Sequence, residues 1–172
     1  MNLQSDDFEL FGLQRRFAQD RALLDARWKD LQREAHPDKF AAQGAAAQRI
    51  AMQWSVRINE AYQRLKNPQQ RAAYLCELQG VPVNAESNTA MPAVFLMQQM
   101  EWREQLEAAH SAQYLEQIRL QVKQAVRSVL EKIEHLIDQQ GAYAEAVGQV
   151  RALMFIERFE QDVDGRLDQI EI

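Results

Sequence analysis

The stretch that decides the fold covers residues 21–40 and reads RALLDARWKDLQREAHPDKF. Apolar residues recur at intervals of three and four from Leu24 through Trp28 to Leu31, which is the pattern of a helix buried along one side. Pro37 has no backbone N–H to donate and restricts the residue before it to extended conformations. The helix is therefore predicted to end at residue 35 and to be followed by a turn that presents a histidine and an aspartate to solvent.

The tripeptide His36-Pro37-Asp38 in this turn allows two interpretations. It can be an ordinary helix stop whose aspartate caps the next element, or it can be a docking signal offered to another protein. His36 near Asp38 also imitates an acid–base pair. No nucleophile or convergent pocket accompanies that pair in the sequence, so no catalytic residue is predicted.

The rest of the chain also favours an all-α fold, because six glycines and four prolines are too few for the turns of a β-rich fold. A helix from about residue 47 to 66 would pack as a hairpin with the first one, and a shorter helix starts after Asn67 with Pro68 at its first position. Residues 81–91 show no period and are predicted to form a linker. Residues 92–172 contain three helical patterns, typical of a three-helix bundle.

Charge and composition limit the classes of partner. The net charge is −5 overall, +2 over residues 1–80 and −7 over residues 81–172. The chain therefore has no general electrostatic attraction to nucleic acid or anionic lipid. The single cysteine, Cys76, excludes an intrachain disulfide and a multi-thiolate metal site, and it is predicted to be a small buried apolar residue. The acidic N-terminus and the lack of an apolar run of roughly 18 residues predict a cytoplasmic protein without a leader or membrane segment.

The first helix of the bundle carries two apolar faces when its residues are placed at 100° intervals. The face expected in the core consists of Phe95, Trp102, Leu106 and Ala109. The other face lies roughly 140° away and consists of Leu96, Met97 and Met100, edged by Glu101 and Glu104. Phe155, on the last helix, likewise lies away from the apolar stripe by which that helix is expected to pack in the bundle. This second face is either a wide core contact or an exposed binding surface, a role that flexible methionines suit.

A metal site has one weak signal in the sequence. Glu107 and His110 have the spacing of a di-iron ligand pair on a helix, but a di-iron bundle needs a second such pair. The other candidates, Glu131 and His135, are four residues apart. Both histidines are better explained as solvated residues of polar helix faces, and no metal or other cofactor is predicted.

The first 80 residues resemble a J-domain. The similarity rests on His36-Pro37-Asp38-Lys39-Phe40, on the preceding apolar stripe with Trp28 and Leu31, and on Arg71-Ala72-Ala73-Tyr74 in the last short helix. A J-domain joined to an acidic three-helix bundle that carries FLMQQMEWRE at residues 95–104 is similar to the HscB family, co-chaperones of iron–sulfur cluster biogenesis. The resemblance covers nearly the whole chain.

The resemblance implies a non-enzymatic adaptor with two partners. One is a specialised ATPase chaperone of the HscA type, whose ATP hydrolysis the J-domain stimulates, and the other is an iron–sulfur cluster scaffold protein of the IscU type. The implied chaperone-binding residues are Lys29, Arg33, His36, Pro37, Asp38 and Lys39, with the Asp38 carboxylate facing an arginine of the chaperone. The implied scaffold-binding residues are Leu96, Met97, Met100, Glu101, Glu104 and Phe155.

Some positions depart from the pattern of general J-domains, which usually carry a Lys-Arg pair and a tyrosine before the tripeptide. Here Lys29-Asp30 and Ala35 stand in those places, and Asp25 and Glu34 dilute the basic face further. This disfavours promiscuous docking, although a general protein-folding J-protein acting with a DnaK-type chaperone remains the alternative function. A purely structural helical protein is a third class. Some relatives carry a cysteine-rich zinc site near the N-terminus, and no cysteine precedes Cys76 here.

Overall fold

The computed structural model describes residues 2–83 and 91–171, and all of its regular elements within those ranges are helical. They are α1 (Asp7–Phe11), α2 (Arg21–Ala35), a 3-10 turn (Pro37–Gln43), α3 (Ala45–Lys66), α4 (Pro68–Leu78), α5 (Ala93–Ala108), α6 (Ala112–Glu134), a π-helical turn (His135–Gln139) and α7 (Tyr143–Glu171). The predicted all-α fold is confirmed.

Close backbone contacts divide the chain into two compact units, Met1–Leu75 and Cys76–Ile172. The division falls inside α4, whereas the sequence predicts a boundary at the linker, residues 81–91. Most of that linker, residues 84–90, lies outside the described residues. Cys76, the first residue of the second unit, is buried, and its Sγ lies 3.9 Å from the carbonyl oxygen of Tyr143 at the start of α7. Burial raises the pKa of this thiol to about 11, and the prediction of a buried cysteine is confirmed.

The first unit is built around a hairpin of α2 and α3. The Asp20 side chain caps α2 by accepting hydrogen bonds from the backbone N–H groups of Ala22 and Leu23. The helix ends at Ala35, as predicted. Leu24 from α2 and Ile58 and Leu65 from α3 are fully buried between the helices. Of the stripe predicted on α2, Leu24 is fully buried, whereas Trp28 and Leu31 are only half-buried.

A polar and aromatic seam fixes α2 against α3 along one edge of the hairpin. The rings of Trp28 and Tyr62 stack with centroids 4.6 Å apart. Trp28 Nε1 and Gln32 Nε2 both donate to Asn59 Oδ1, at 3.0 and 2.7 Å, and the Ser55 hydroxyl donates to Gln32 Oε1 at 3.0 Å. Because these bonds recur along two turns, they set how far α2 is rotated and therefore which of its side chains face solvent.

The N-terminal helix is held to the hairpin by a buried carboxylate. Asp7, which is fully buried, lies 2.7 Å from Arg57 Nη1 and 3.4 Å from Arg64 Nε. The backbone N–H of Asp7 donates to the Tyr74 hydroxyl at 3.0 Å, and the Arg64 guanidinium lies 4.5 Å from the centre of the Tyr74 ring. The Asp7 side chain thus joins α1 to α3, and its backbone N–H joins α1 to α4.

We expect Asp7→Asn to lower the free energy of unfolding by about 2–4 kcal/mol, since breaking a buried ion pair leaves charged partners uncompensated and both arginines here keep some access to water. Urea unfolding of the variant and the wild type measures this difference. Glu9→Gln is the matched control, because it removes an exposed carboxylate from the same helix and should cost about 0.5 kcal/mol or less. Equal effects of the two substitutions would show that the Asp7 pairs do not stabilise the fold.

The second unit contains the three predicted helices, with α6 antiparallel to both α5 and α7. Trp102 of α5 is buried and stacks on Phe159 of α7, with ring centroids 5.4 Å apart. Arg166 of α7 donates to the carbonyl oxygens of Leu106 and Ala109 at 3.2 and 2.7 Å. These bonds satisfy backbone acceptors left free at the C-terminal end of α5. The core face of α5 is therefore the one predicted.

Within residues 2–83 and 91–171, no helix is both long enough and apolar enough to cross a bilayer.

Candidate functional site

The turn after α2 is organised by the imidazole of His36. His36 leaves the helix with φ −63° and ψ 128°, and Pro37 is the first residue of the 3-10 turn. The backbone N–H of Asp38 donates to His36 Nδ1 at 3.2 Å, and the N–H of Lys39 donates to the His36 carbonyl oxygen at 3.0 Å. The side chain that caps the turn is thus the histidine and not, as the helix-stop interpretation expects, the aspartate.

The Asp38 carboxylate is left in solvent by this arrangement. Its side chain is 91% exposed, and its Oδ2 lies 3.7 Å from His36 Nδ1, which is longer than a hydrogen bond. The two side chains consequently do not form the hydrogen-bonded pair that acid–base catalysis uses. The arrangement presents an anion whose position is set by the backbone and whose oxygens can accept hydrogen bonds from a partner.

The predicted basic residues lie on the outer side of α2, leading toward this turn. Lys29 and Arg33 are one turn apart and exposed, and His36 follows on the same side of the helix. Lys39 is exposed in the turn itself. Lys29, Arg33 and His36 therefore share one side of α2, and Pro37, Asp38 and Lys39 follow in the turn at its C-terminal end.

The acidic residues that dilute this face differ in their surroundings. Asp25 accepts from the Tyr62 hydroxyl at 2.6 Å and from Arg21 Nε at 2.9 Å. The hydrogen bond from Tyr62, and after it the one from Arg21, lowers the pKa of Asp25 below its ordinary value. Asp30 lies 3.8 Å from Arg33. Asp25 therefore already has partners within the hairpin, whereas Asp30 partly neutralises the positive charge of Arg33.

The second candidate surface lies on α5, on the side opposite the core. Leu96, Met97 and Met100 are 45%, 74% and 68% exposed. Glu101 and Glu104 are exposed beside them. Of the two interpretations left open by the sequence, the wide core contact is excluded for these three apolar residues. What remains is an apolar face rimmed by carboxylates.

Phe155, the remaining predicted scaffold-binding residue, lies on α7. It is half-buried, and it lies one turn before Phe159, whose ring stacks on Trp102 of α5. Residues one turn apart share a side of a helix, so Phe155 is on the side of α7 that faces α5. The Arg158 guanidinium lies 5.5 Å from the centre of the Phe155 ring. We call the group Leu96, Met97, Met100, Glu101, Glu104 and Phe155 the bundle face.

Sequence reasoning did not single out three exposed apolar residues on α5 and α3. Val94, which is 80% exposed, precedes Met97 and Glu101 at a spacing of three and seven residues, so the helical period could have added it to the bundle face. Met52 and Val56 are exposed one turn apart on α3, where they line a groove of about 360 Å³ with Arg49 and Glu60. Met52 and Val56 are four residues apart and do not belong to the apolar stripe of α3 that is predicted to be buried. That spacing could have identified them from the sequence.

Comparison with known proteins places both units in one family. A family model described as the HSCB C-terminal oligomerisation domain matches residues 91–164. A co-chaperone protein HscB homolog of Burkholderia multivorans is 45% identical over 99% of both chains, and that of Burkholderia cenocepacia is 44% identical over the same share. The chain belongs to the HscB family of co-chaperones.

Solved structures of HscB proteins agree with the fold. The chaperone HscB from Vibrio cholerae superposes with a TM-score of 0.84 at 35% identity, covering 96% of this chain and 99% of that one. The human co-chaperone protein HscB superposes with a TM-score of 0.89 at 26% identity, covering 100% and 86%. The predicted HscB family is therefore confirmed, and an HscB co-chaperone function is favoured over a general protein-folding J-protein.

Proposed function

We propose that this HscB-family chain is a cytoplasmic, non-enzymatic adaptor between an HscA-type ATPase chaperone and an IscU-type iron–sulfur cluster scaffold. The first unit docks on the chaperone and stimulates its ATP hydrolysis, and the bundle face holds the scaffold. The observation that carries this proposal is the presence, on one chain, of a capped turn with a solvent-exposed carboxylate and of an exposed apolar face rimmed by acidic residues.

Docking of the first unit depends on charge. The exposed Asp38 carboxylate suits an arginine of the chaperone, because a bidentate contact between the two is a strong charge-assisted hydrogen bond. Lys29 and Arg33 would meet acidic residues of the chaperone and steer its approach. Lys39 lies in the turn and adds a further cation beside Asp38. His36 and Pro37 shape the turn on which these charges stand.

Scaffold binding depends on burying the apolar centre of the bundle face. Full burial of a methionine or leucine contributes about 1.5–3 kcal/mol, and Met97 and Met100 keep more than half of their surface in water before binding. Glu101 and Glu104 beside them favour a scaffold surface with basic residues around an apolar centre. The apolar residues would supply affinity, and the carboxylates would supply orientation.

Carrying both surfaces on one chain has a thermodynamic consequence. A scaffold bound to the bundle face is held near the chaperone once the first unit docks, which raises its effective concentration at the chaperone's substrate site. The same docking favours the chaperone state that hydrolyses ATP. Delivery and ATPase stimulation are thereby coupled in one adaptor.

The charged part of this proposal is tested by Lys29→Ala combined with Arg33→Ala. Removing two exposed charges from an interface rim should raise the concentration of chain needed for half-maximal ATPase stimulation by roughly fivefold to tenfold. The maximal rate should hardly change, and the difference should shrink as salt is added. The assay is a titration of a purified HscA-type chaperone at two salt concentrations.

Lys123→Ala supplies the matched control, because Lys123 is an exposed cation on α6 of the second unit. It should leave the titration unchanged. An effect of Lys123→Ala as large as that of the double variant, or no effect of the double variant at low salt, would exclude α2 as the docking face.

A further inference from the structure

The hydrogen bond between Asp38 and His36 gives the histidine a defined task. A cap residue normally accepts from the second or third residue of the element that follows it. Pro37 is the first residue of the 3-10 turn and has no N–H, so the Asp38 N–H is the first backbone donor that needs a partner. His36 Nδ1 accepts it at 3.2 Å.

We infer that His36 is a positioning residue: its neutral imidazole accepts the Asp38 N–H through Nδ1, closes the turn, and thereby holds the Asp38 carboxylate in solvent for the chaperone. The consequence for docking rests on the proposed function, whereas the cap itself is a property of the isolated chain. His36 then acts on the chaperone through the backbone of Asp38.

The geometry fixes the state of the imidazole. A nitrogen that accepts a hydrogen bond carries no proton, so the proton of the neutral ring lies on Nε2. A proton on Nδ1 would remove the acceptor and leave the Asp38 N–H without this hydrogen bond.

Three substitutions separate the cap from a direct contact. In His36→Asn the side-chain oxygen stands as many bonds from the backbone as Nδ1 does, and asparagine is among the best capping residues. His36→Gln moves the acceptor one methylene outward, and His36→Ala removes it. An imidazole needed only as a cap is replaceable by asparagine and not by alanine.

The cap is tested first in the isolated chain by NMR. We expect the nitrogen shift of His36 Nδ1 to be that of an unprotonated ring nitrogen. The Asp38 amide should exchange roughly tenfold faster in His36→Ala and within about threefold of the wild-type rate in His36→Asn. A protonated Nδ1 in the neutral ring, or an Asp38 amide unaffected by His36→Ala, would overturn the cap whatever the partner.

The consequence for docking is tested in the ATPase titration with an HscA-type chaperone. We expect His36→Ala to lose about tenfold or more of the stimulation at subsaturating concentration, and His36→Gln to lose a similar amount. His36→Asn should stay within about threefold of the wild type. Complete loss in His36→Asn with its cap intact would show a direct imidazole contact and overturn the inference. If His36→Ala loses the cap and every variant still stimulates the ATPase as the wild type does, the turn is not the docking site. The capping role of His36 in the wild-type chain would then still hold.

Discussion

Asp38→Asn abolishes stimulation of an HscA-type ATPase and leaves scaffold binding unchanged; this is the largest single-residue effect we expect. The substitution keeps the shape of the side chain and removes its charge, so a contact with an arginine of the chaperone loses its charge-assisted hydrogen bonds. Truncating one partner of such a pair costs about 2–5 kcal/mol, which corresponds to a loss of at least roughly 30-fold. A steady-state ATPase titration measures it.

The fold should tolerate this change, because the Asp38 side chain is 91% exposed. Thermal unfolding of Asp38→Asn should therefore match that of the wild type. Glu34→Gln is a suitable control, since it removes another exposed carboxylate four residues earlier and should not reduce stimulation. Full stimulation by Asp38→Asn would rule out the turn as the docking site.

Met97→Ala combined with Phe155→Ala should weaken scaffold binding by roughly 30-fold to 100-fold. Each substitution removes an apolar side chain from the bundle face, and truncation of an interface anchor typically costs about 1–2 kcal/mol or more. Met97 is largely exposed and Phe155 is half-buried, so stability should fall by only about 1 kcal/mol. Calorimetric titration and thermal unfolding measure the two quantities separately.

Leu120→Ala provides a control of matched chemistry for the double variant. Leu120 is 67% exposed on α6 and lies outside the bundle face, so its truncation should change neither affinity nor stability appreciably. A large drop in melting temperature for the double variant would show that its side chains belong to the core. Unaltered affinity would show that the scaffold binds elsewhere.

The features predicted from the sequence are those that depend on neighbours along the chain. Pro37 ends α2 by its own stereochemistry, Asp20 and Asn67 cap the helices that follow them, and the helical period separates Met97 from Trp102. Each of these effects acts over at most two helical turns. Local rules were sufficient for the fold class and for separating the two apolar faces of α5, whereas the exposure of Leu96, Met97 and Met100 became clear only from the structure.

The features that escaped prediction depend on residues that are distant in the sequence or on side-chain conformation. Asp7 pairs with Arg57, 50 positions later, and nothing in its own helix shows that it is buried. Asp25 appeared to dilute the basic face until Tyr62 and Arg21 were found to hold it. The role of His36 depends on which ring nitrogen meets the Asp38 N–H, and this is fixed only by the closed turn.

The central claim, that one chain carries both tasks, is tested most directly by mixing two defective chains. The ATPase rate of an HscA-type chaperone is measured with an IscU-type scaffold and an equimolar mixture of Asp38→Asn and the Met97→Ala, Phe155→Ala double variant. The wild type should give a joint stimulation greater than scaffold and co-chaperone give separately. The mixture should give no joint gain, because no single chain in it has both surfaces intact. Joint stimulation by the mixture equal to that of the wild type would contradict the adaptor mechanism.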